Sequence, residues 1–128
     1  MINVYETEDG VVFDMSQLEW DALRSYADGL LTDPEHPFVE LLRSQGLVVG
    51  DAPVPHLAVL LEAFSQATKV LTAWVVAPAG CRRSTFFVGP HSAVVSRCDE
   101  GGLYAGEDDL LSVWAIDSAQ LRETFFEL

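Results

Sequence analysis

The hydrophobic pattern of this chain changes from helical to strand-type spacing after Lys69, and that change limits the fold more than any other feature. Before it, apolar residues recur at the three- and four-residue spacing of amphipathic helices, as Leu57, Leu60 and Phe64 do. After it come short β-branched and aromatic runs, separated by glycine and proline turn signals that are typical of antiparallel strands. Helices followed by consecutive strands predict an α+β domain.

The first part of the chain predicts a hairpin followed by three helices. Ile2–Tyr5 and Val11–Asp14 are short strand-type runs, and the Asp-Gly signal in Glu8-Asp9-Gly10 predicts the turn between them. Ser16 and Glu19 form a capping box, which predicts the start of the first helix. The two further helices are predicted over Pro37–Gln45 and His56–Ala67.

The second part predicts an antiparallel meander sheet of about four strands and a C-terminal helix, so that residues 1–128 form a single domain. The first strand, Val70–Ala79, is almost continuously apolar, which predicts that it is largely buried on both faces. The other predicted strands are Ser84–Val88, Ala93–Cys98 and Leu111–Ile116. A cap at Asp117 or Ser118 predicts a last helix that reaches Leu128.

Composition and charge argue against several classes of function. The hydrophobic fraction of 49% is typical of globular proteins and too high for a disordered chain. Twenty acidic residues against seven basic ones give a net charge of −13, which repels a phosphate backbone and argues against a nucleic-acid partner. The longest apolar runs are half the length of a membrane helix, and the N-terminus carries no export signal. We therefore expect a cytoplasmic protein that does not contact a membrane.

The sequence contains no motif that is diagnostic of catalysis. The histidines, His36, His56 and His91, lie at turns or helix starts without catalytic or metal-ligand spacing. Cys81 and Cys98 are expected to be reduced structural thiols, and a disulfide between neighbouring strands remains an open alternative. The glycines match no phosphate-binding loop. We therefore predict a protein without enzymatic activity, metal or cofactor.

The distribution of charged and aromatic residues points instead to a protein partner. No acidic residue occurs between Ala63 and Cys98, whereas twelve precede that segment and eight follow it. Two interpretations stay open: acidic helices neutralise the sheet within the molecule, or the sheet forms a basic groove for an acidic partner segment. Phe86 and Phe87 point to opposite faces of a strand, so apolar residues lie on both sides of the predicted sheet. Such a sheet is covered either by the molecule itself or by a partner.

Three segments share their apolar spacing and turns with a known family: the run from Phe13 to Trp20, the helix end Leu41-Leu42-Arg43-Ser44-Gln45-Gly46-Leu47-Val48, and the closing Ile116-Asp117-Ser118-Ala119-Gln120-Leu121. In this layout the chain resembles the ESX secretion-associated chaperones of actinobacterial type VII secretion, the EspG-like family. Members of that family are about twice as long and consist of two similar halves, so this chain resembles one half-domain. The resemblance implies binding of a secretion cargo and a homodimer that rebuilds the two-half body.

Two functional hypotheses follow. The first is a cytoplasmic chaperone or adaptor, a protein-binding module for a type VII-like secretion cargo. Its predicted partner-binding residues lie in the sheet and a loop: Trp74, Arg82, Arg83, Phe86, Val88 and Val95. The alternative is an immunity protein that neutralises a cognate toxin through an acidic surface, since such surfaces accelerate encounter and mimic nucleic acid. Its predicted contacts are Asp99, Glu100, Glu107, Asp108 and Asp109.

Overall fold

The computed structural model describes the chain except for Asp9, Pro34, Ala79, residues 102–105 and residues 127–128. Within the described residues it contains four helices and a six-stranded antiparallel sheet, which confirms the predicted α+β class. The helices are α1 (Gln17–Ala27), α2 (Pro37–Ser44), α3 (Pro55–Ser65) and α4 (Leu121–Phe126), the last preceded by a 3-10 turn, Ser118–Gln120. The strands are β1 (Asn3–Thr7), β2 (Gly10–Ser16), β3 (Val48–Val49), β4 (Ala52–Pro53), β5 (Lys69–Ala77), β6 (Gly80–Val88), β7 (Ser92–Gly101) and β8 (Leu110–Asp117).

The sheet is larger than the predicted meander because the N-terminal hairpin belongs to it. Its strand order is β1–β2–β8–β7–β6–β5, with β2 paired antiparallel to β8 from Val12 opposite Trp114 to Ser16 opposite Leu110. The prediction of about four strands is thus corrected to six. Strands β3 and β4 form a separate two-stranded sheet between α2 and α3. The predicted hairpin turn includes Asp9, and the predicted end of the last helix is Leu128; both lie outside the described residues.

Local signals set the ends of α1 and α2. The Glu19 backbone N–H donates to Ser16 Oγ at 3.1 Å, and the Ser16 N–H donates to Glu19 Oε1 at 2.9 Å, which confirms the predicted capping box. Helix α2 ends before Gly46, whose φ of 73° is accessible at low cost only to a residue without a side chain. There the Leu47 N–H donates to the Leu42 carbonyl at 2.9 Å and closes the helix.

Removing the charge of Glu19 is expected to change how stability depends on pH. Burial of the carboxyl opposes its ionisation, but hydrogen bonds from Ser16 and contact with the N-terminal ammonium outweigh it, so the pKa of Glu19 is lowered. A lowered pKa stabilises the fold above the pKa of the unfolded chain, and this contribution is lost as pH falls through the lower, folded value. We expect Glu19→Gln, which keeps a capping side chain, to cost about 0.5 to 1 kcal/mol at pH 7. Urea denaturation from pH 3 to 7 measures the difference, and an equal loss at every pH would contradict the prediction.

The helices cover the middle of one face of the sheet, which we call the helix face. Helices α1 and α3 contact β2, β7 and β8 there, and the buried side chains include Phe13, Leu57 and Val94. On the opposite face, the 3-10 turn and α4 follow β8, and Leu121 packs against a second buried cluster. That cluster consists of Phe86, Ala93, Val95 and Ile116. The sheet therefore has apolar layers on both faces, as Phe86 and Phe87 predict.

Strand β5 is exposed, and the prediction that Val70–Ala79 is buried on both faces is wrong for its described residues. Eight of the nine residues of β5 are exposed, and Ala73 is partly buried. The physical reason is position: β5 is the terminal strand of the sheet, whereas α1 and α3 pack over strands nearer its centre. An apolar run with the composition of an interior strand thus lies at the edge of the sheet.

Candidate protein-binding surface

Strand β5 places apolar side chains on both faces of the sheet. Val70 lies opposite Phe87, a residue of the helix-face core, so Val70, Trp74 and Val76 belong to the helix face. Leu71 lies opposite Phe86, which belongs to the cluster on the other face, so Leu71 and Val75 project to that side. We call Val70, Leu71, Trp74, Val75 and Val76 the β5 surface.

The β5 surface is accessible to solvent to an extent that is unusual for such residues. Its five side chains are between 43% and 71% exposed. Single exposed hydrophobic residues are common, but these five fall within seven positions of one strand, and among the described residues that strand is the last of the sheet and pairs with β6 alone. Natural edge strands usually carry charges, prolines or bulges that prevent further pairing. Here Lys69 is the only charged residue of the strand, and Pro78 comes after its end.

The structure separates the six residues predicted for a cargo-binding surface. Trp74 is half exposed on β5, and Arg82 and Val88 are partly buried on the adjacent strand β6. Arg82 Nε lies 2.8 Å from Asp99 Oδ1, so its charge is compensated within the molecule. These three residues border the β5 surface or belong to it.

The other three predicted contacts are inaccessible, which corrects their placement on an exposed face. Phe86 and Val95 are 0% and 1% exposed because they form the cluster beneath the C-terminal part of the chain. Arg83 is buried on the helix side of β6, where its Nη2 lies 3.5 Å from Asp109 Oδ2. The β5 surface therefore excludes these three residues.

Of the acidic residues predicted for toxin binding, Asp99, Asp108 and Asp109 line one cavity, but Asp99 and Asp109 are engaged in ion pairs within the molecule. Asp99 pairs with Arg82 and also with Arg97, whose Nε lies 3.2 Å from Asp99 Oδ1. Asp109 pairs with Arg83 and accepts a hydrogen bond from the Gly106 N–H at 2.9 Å. Arg82, Arg83 and Arg97, three cations of the acid-free segment, are thus neutralised within the molecule. This favours internal neutralisation of the sheet over a basic groove for an acidic partner. Glu107 and Asp108 are exposed, and the side chain of Glu100 lies outside the described part of the chain.

Sequence reasoning missed most of the β5 surface, although one signal could have located it. In a meander each strand pairs with its neighbours in the chain, so the first strand of the series has a partner on one side only. The predicted hairpin could have paired at either end of that meander, and it joined β8. The apolar run Val70–Val76 therefore combined the composition of an interior strand with the position of an edge strand.

A groove of about 340 Å³ lies on the face opposite the helices, between the hairpin, β8 and α4. Trp114 forms its floor, with the Arg97 guanidinium 5.6 Å from the ring centroid. At its hairpin side, Asp14 accepts hydrogen bonds from Tyr5 Oη at 3.2 Å and from Ser112 Oγ at 2.8 Å. Tyr5 and Ser112, two polar residues that line this groove, thus share Asp14 as their hydrogen-bond acceptor.

Metal-ligand groups, membrane-spanning helices and matches to known proteins can each indicate a function, and none of them points to a particular one for this chain. Over the described residues, His, Cys, Asp and Glu side chains do not gather in groups of three that could hold a metal ion, and both cysteines are free thiols. The described part of the chain contains no helix with the length and apolar character needed to cross a membrane. No protein-family model, curated protein or solved structure matches the chain. The resemblance to the ESX chaperones therefore stays a prediction.

Proposed function

We propose that this chain is a non-catalytic protein-binding module that engages its partner through the β5 surface. The observation that carries this proposal is the exposure of five large hydrophobic side chains on both faces of an edge strand. Fully burying one such side chain contributes roughly 1.5 to 3 kcal/mol, so five half-exposed ones could contribute about 4 to 7 kcal/mol before the costs of association. That gain is large enough to drive a specific interaction when backbone hydrogen bonds add to it.

The geometry of an edge strand favours a partner with a regular backbone. An extended segment can add to β5 as a further strand, with its backbone hydrogen-bonded and its side chains alternating between the two faces. A helical segment can instead lay an apolar stripe on Val70, Trp74 and Val76, which lie on one face. Either partner must present apolar side chains, because the only charge on β5 is Lys69 at its first position.

In biological terms, we propose a cytoplasmic chaperone or adaptor for a secretion cargo of the type VII kind. A chaperone of this kind keeps an apolar segment of its cargo covered until export, and the β5 surface offers an apolar counterpart for such a segment. The resemblance supplies the class of cargo, and the exposed strand supplies the mode of binding. The immunity alternative retains Glu107 and Asp108 as exposed contacts, since Asp99 and Asp109 form internal ion pairs.

The substitution Trp74→Lys is expected to weaken partner binding at least about 30-fold. Loss of a central aromatic contact costs about 2 kcal/mol or more, and a lysine there must also be desolvated. The partner is captured in the native host by a photo-crosslinking residue at position 76, on the same face as Trp74, identified by mass spectrometry, purified and titrated by calorimetry. Val4→Lys is the matched control, because Val4 is 40% exposed on the opposite edge strand β1 and should leave affinity unchanged.

A double variant in the acidic loop distinguishes the chaperone from the immunity protein. Glu107→Gln combined with Asp108→Asn removes two exposed charges without disturbing the Asp109 ion pair. A chaperone that uses β5 keeps its affinity in this double variant and loses it in Trp74→Lys. The reverse result, with affinity lost in the double variant and kept in Trp74→Lys, would overturn the proposal in favour of an immunity protein.

A further inference from the structure

We infer that the backbone edge of β5 is covered by a second copy of this chain, whose own β5 pairs with it antiparallel about a twofold axis. This inference rests on the proposed function in one respect, that the β5 surface is a binding surface, and it names the first partner of that surface. Closed twofold dimers use the same patch on both copies, so the strand must be complementary to itself.

The strand is self-complementary when the twofold axis passes through its midpoint. Strand β5 runs from Lys69 to Ala77, so Ala73 is its central residue, and pairing about Ala73 engages the whole strand. Each residue except Ala77, which opposes Lys69, then opposes an apolar or uncharged residue of the other copy. The opposed pairs are Lys69 with Ala77, Val70 with Val76, Leu71 with Val75, Thr72 with Trp74, and Ala73 with itself. Pairs of this kind, aliphatic with aliphatic and threonine with an aromatic ring, stabilise antiparallel strands.

Charge selects this edge for contact between copies. Two chains that each carry a net charge of −13 repel one another over most of their surfaces. The acid-free segment between Ala63 and Cys98 contains β5 and β6, so the approach of two copies along β5 brings no acidic residue of either strand into opposition. The single charge on the strand, Lys69, opposes Ala77 and lies far from the Lys69 of the other copy. At the other edge, β1 is only five residues long and carries Glu6.

The dimer also determines what remains available for a cargo. Directly opposed residues of antiparallel strands project to the same side, so the helix faces of the two copies become continuous. Val70, Trp74 and Val76 of both copies then lie together on one side of a twelve-stranded sheet, which follows from six strands in each copy. Self-pairing thus occupies the backbone edge, which excludes an extended cargo strand there, and doubles the apolar face on which a helical cargo segment can pack. Cargo binding on that face should accordingly require the dimer.

A charge-exchange experiment at Ala73 tests this pairing. Light scattering after size-exclusion chromatography should give wild type a mass of two 14.0-kDa chains at low micromolar concentration. Ala73→Lys and Ala73→Glu each place like charges opposite one another across the axis, and each should raise the dimer dissociation constant at least about 30-fold. An equimolar mixture of the two variants should restore a dimer, since the opposed charges are then complementary. Val4→Lys on β1 should leave the dimer intact, and circular dichroism checks the fold of every variant.

Each outcome decides the inference. A monomeric wild type overturns it, as does a dimer that resists both Ala73 variants or a mixture that fails to reassociate. If the wild type is a monomer and still binds its partner in a Trp74-dependent manner, the second copy is excluded and the proposed function stands. If the charge exchange works but partner binding is insensitive to Trp74→Lys, the dimer stands and the proposed function fails. A folded Ala73→Lys monomer that still binds cargo would contradict the dimer requirement alone.

Discussion

Replacing Phe87 with alanine is expected to lower the free energy of unfolding by about 3 to 5 kcal/mol. Phe87 is 7% exposed and connects the sheet to two helices. Its ring packs edge-to-face against Trp20 of α1, with centroids 5.8 Å apart, and against Phe64 of α3 at 5.2 Å. Alanine would remove the shared partner of both rings and leave a cavity between layers that cannot collapse independently. Urea unfolding followed by tryptophan fluorescence measures the loss, which corresponds to a fall in Tm of roughly 10 to 20 °C.

The matched control is Trp74→Ala, on the neighbouring strand β5. Trp74 is also aromatic and lies on the same face of the sheet, but it is 50% exposed and beyond the helices. Its truncation should therefore cost about 1 kcal/mol or less in the isolated chain at concentrations where it is a monomer. A loss for Trp74→Ala equal to that for Phe87→Ala would show that β5 is packed as an interior strand, and would remove the basis for the β5 surface.

The features that sequence predicted well depend on interactions between residues close in the chain. The capping box of Ser16 and Glu19 and the glycine end of α2 are each decided within a few residues, and both are present. The alternation of side chains along β6 is also local, so Phe86 and Phe87 could be assigned to opposite faces from sequence. These signals sufficed for the α+β class.

The features that sequence did not predict depend on pairing over long distances. The contact of β2 with β8 joins residues such as Asp14 and Ser112, whose side chains are hydrogen-bonded across 98 positions of sequence. Nothing in the local pattern of either strand specifies that partner. Which parts of each sheet face are covered likewise depends on how the helices pack against the sheet in the folded chain. Phe86 and Val95 are covered because the chain returns over them after β8, whereas Trp74 lies beyond the helices.

The residues assigned to the candidate binding surface also differ between sequence and structure because they depend on long-range contacts. From sequence, the apolar sheet and the acidic loop are two competing surfaces, and the charges of Arg82 and Arg83 count toward the first. In the fold, these arginines pair with Asp99 and Asp109, so cations and anions from the two surfaces neutralise one another. The pairing leaves strand β5, whose only charge is Lys69, as the most distinctive exposed feature, and part of the acidic loop stabilises the fold.

Asp109→Ala is consequently expected to destabilise the fold by about 2 to 3 kcal/mol, which is more than a surface acid would cost. The Asp109 carboxylate accepts the Gly106 N–H at 2.9 Å and lies 3.5 Å from Arg83 Nη2, and the Arg83 side chain is only 10% exposed. Its removal withdraws a counter-ion from a nearly buried guanidinium, and losing the hydrogen bond to Gly106 loosens the turn. The same turn presents the Asp109 carbonyl, which accepts the Gln17 N–H at 2.8 Å at the start of α1. Urea denaturation of the variant measures the loss.

Two comparisons identify the ion pair as the cause of that loss. Glu107→Gln with Asp108→Asn changes the exposed neighbours of Asp109 and should alter stability by less than about 0.5 kcal/mol. Arg83→Met combined with Asp109→Ala should be more stable than Asp109→Ala alone, because an apolar side chain then replaces a buried charge that has lost the Asp109 carboxylate. If Asp109→Ala is as stable as the wild type, the carboxylate contributes nothing to the fold. The charge at that position would then be available to a partner, and the acidic loop would again be a candidate binding surface.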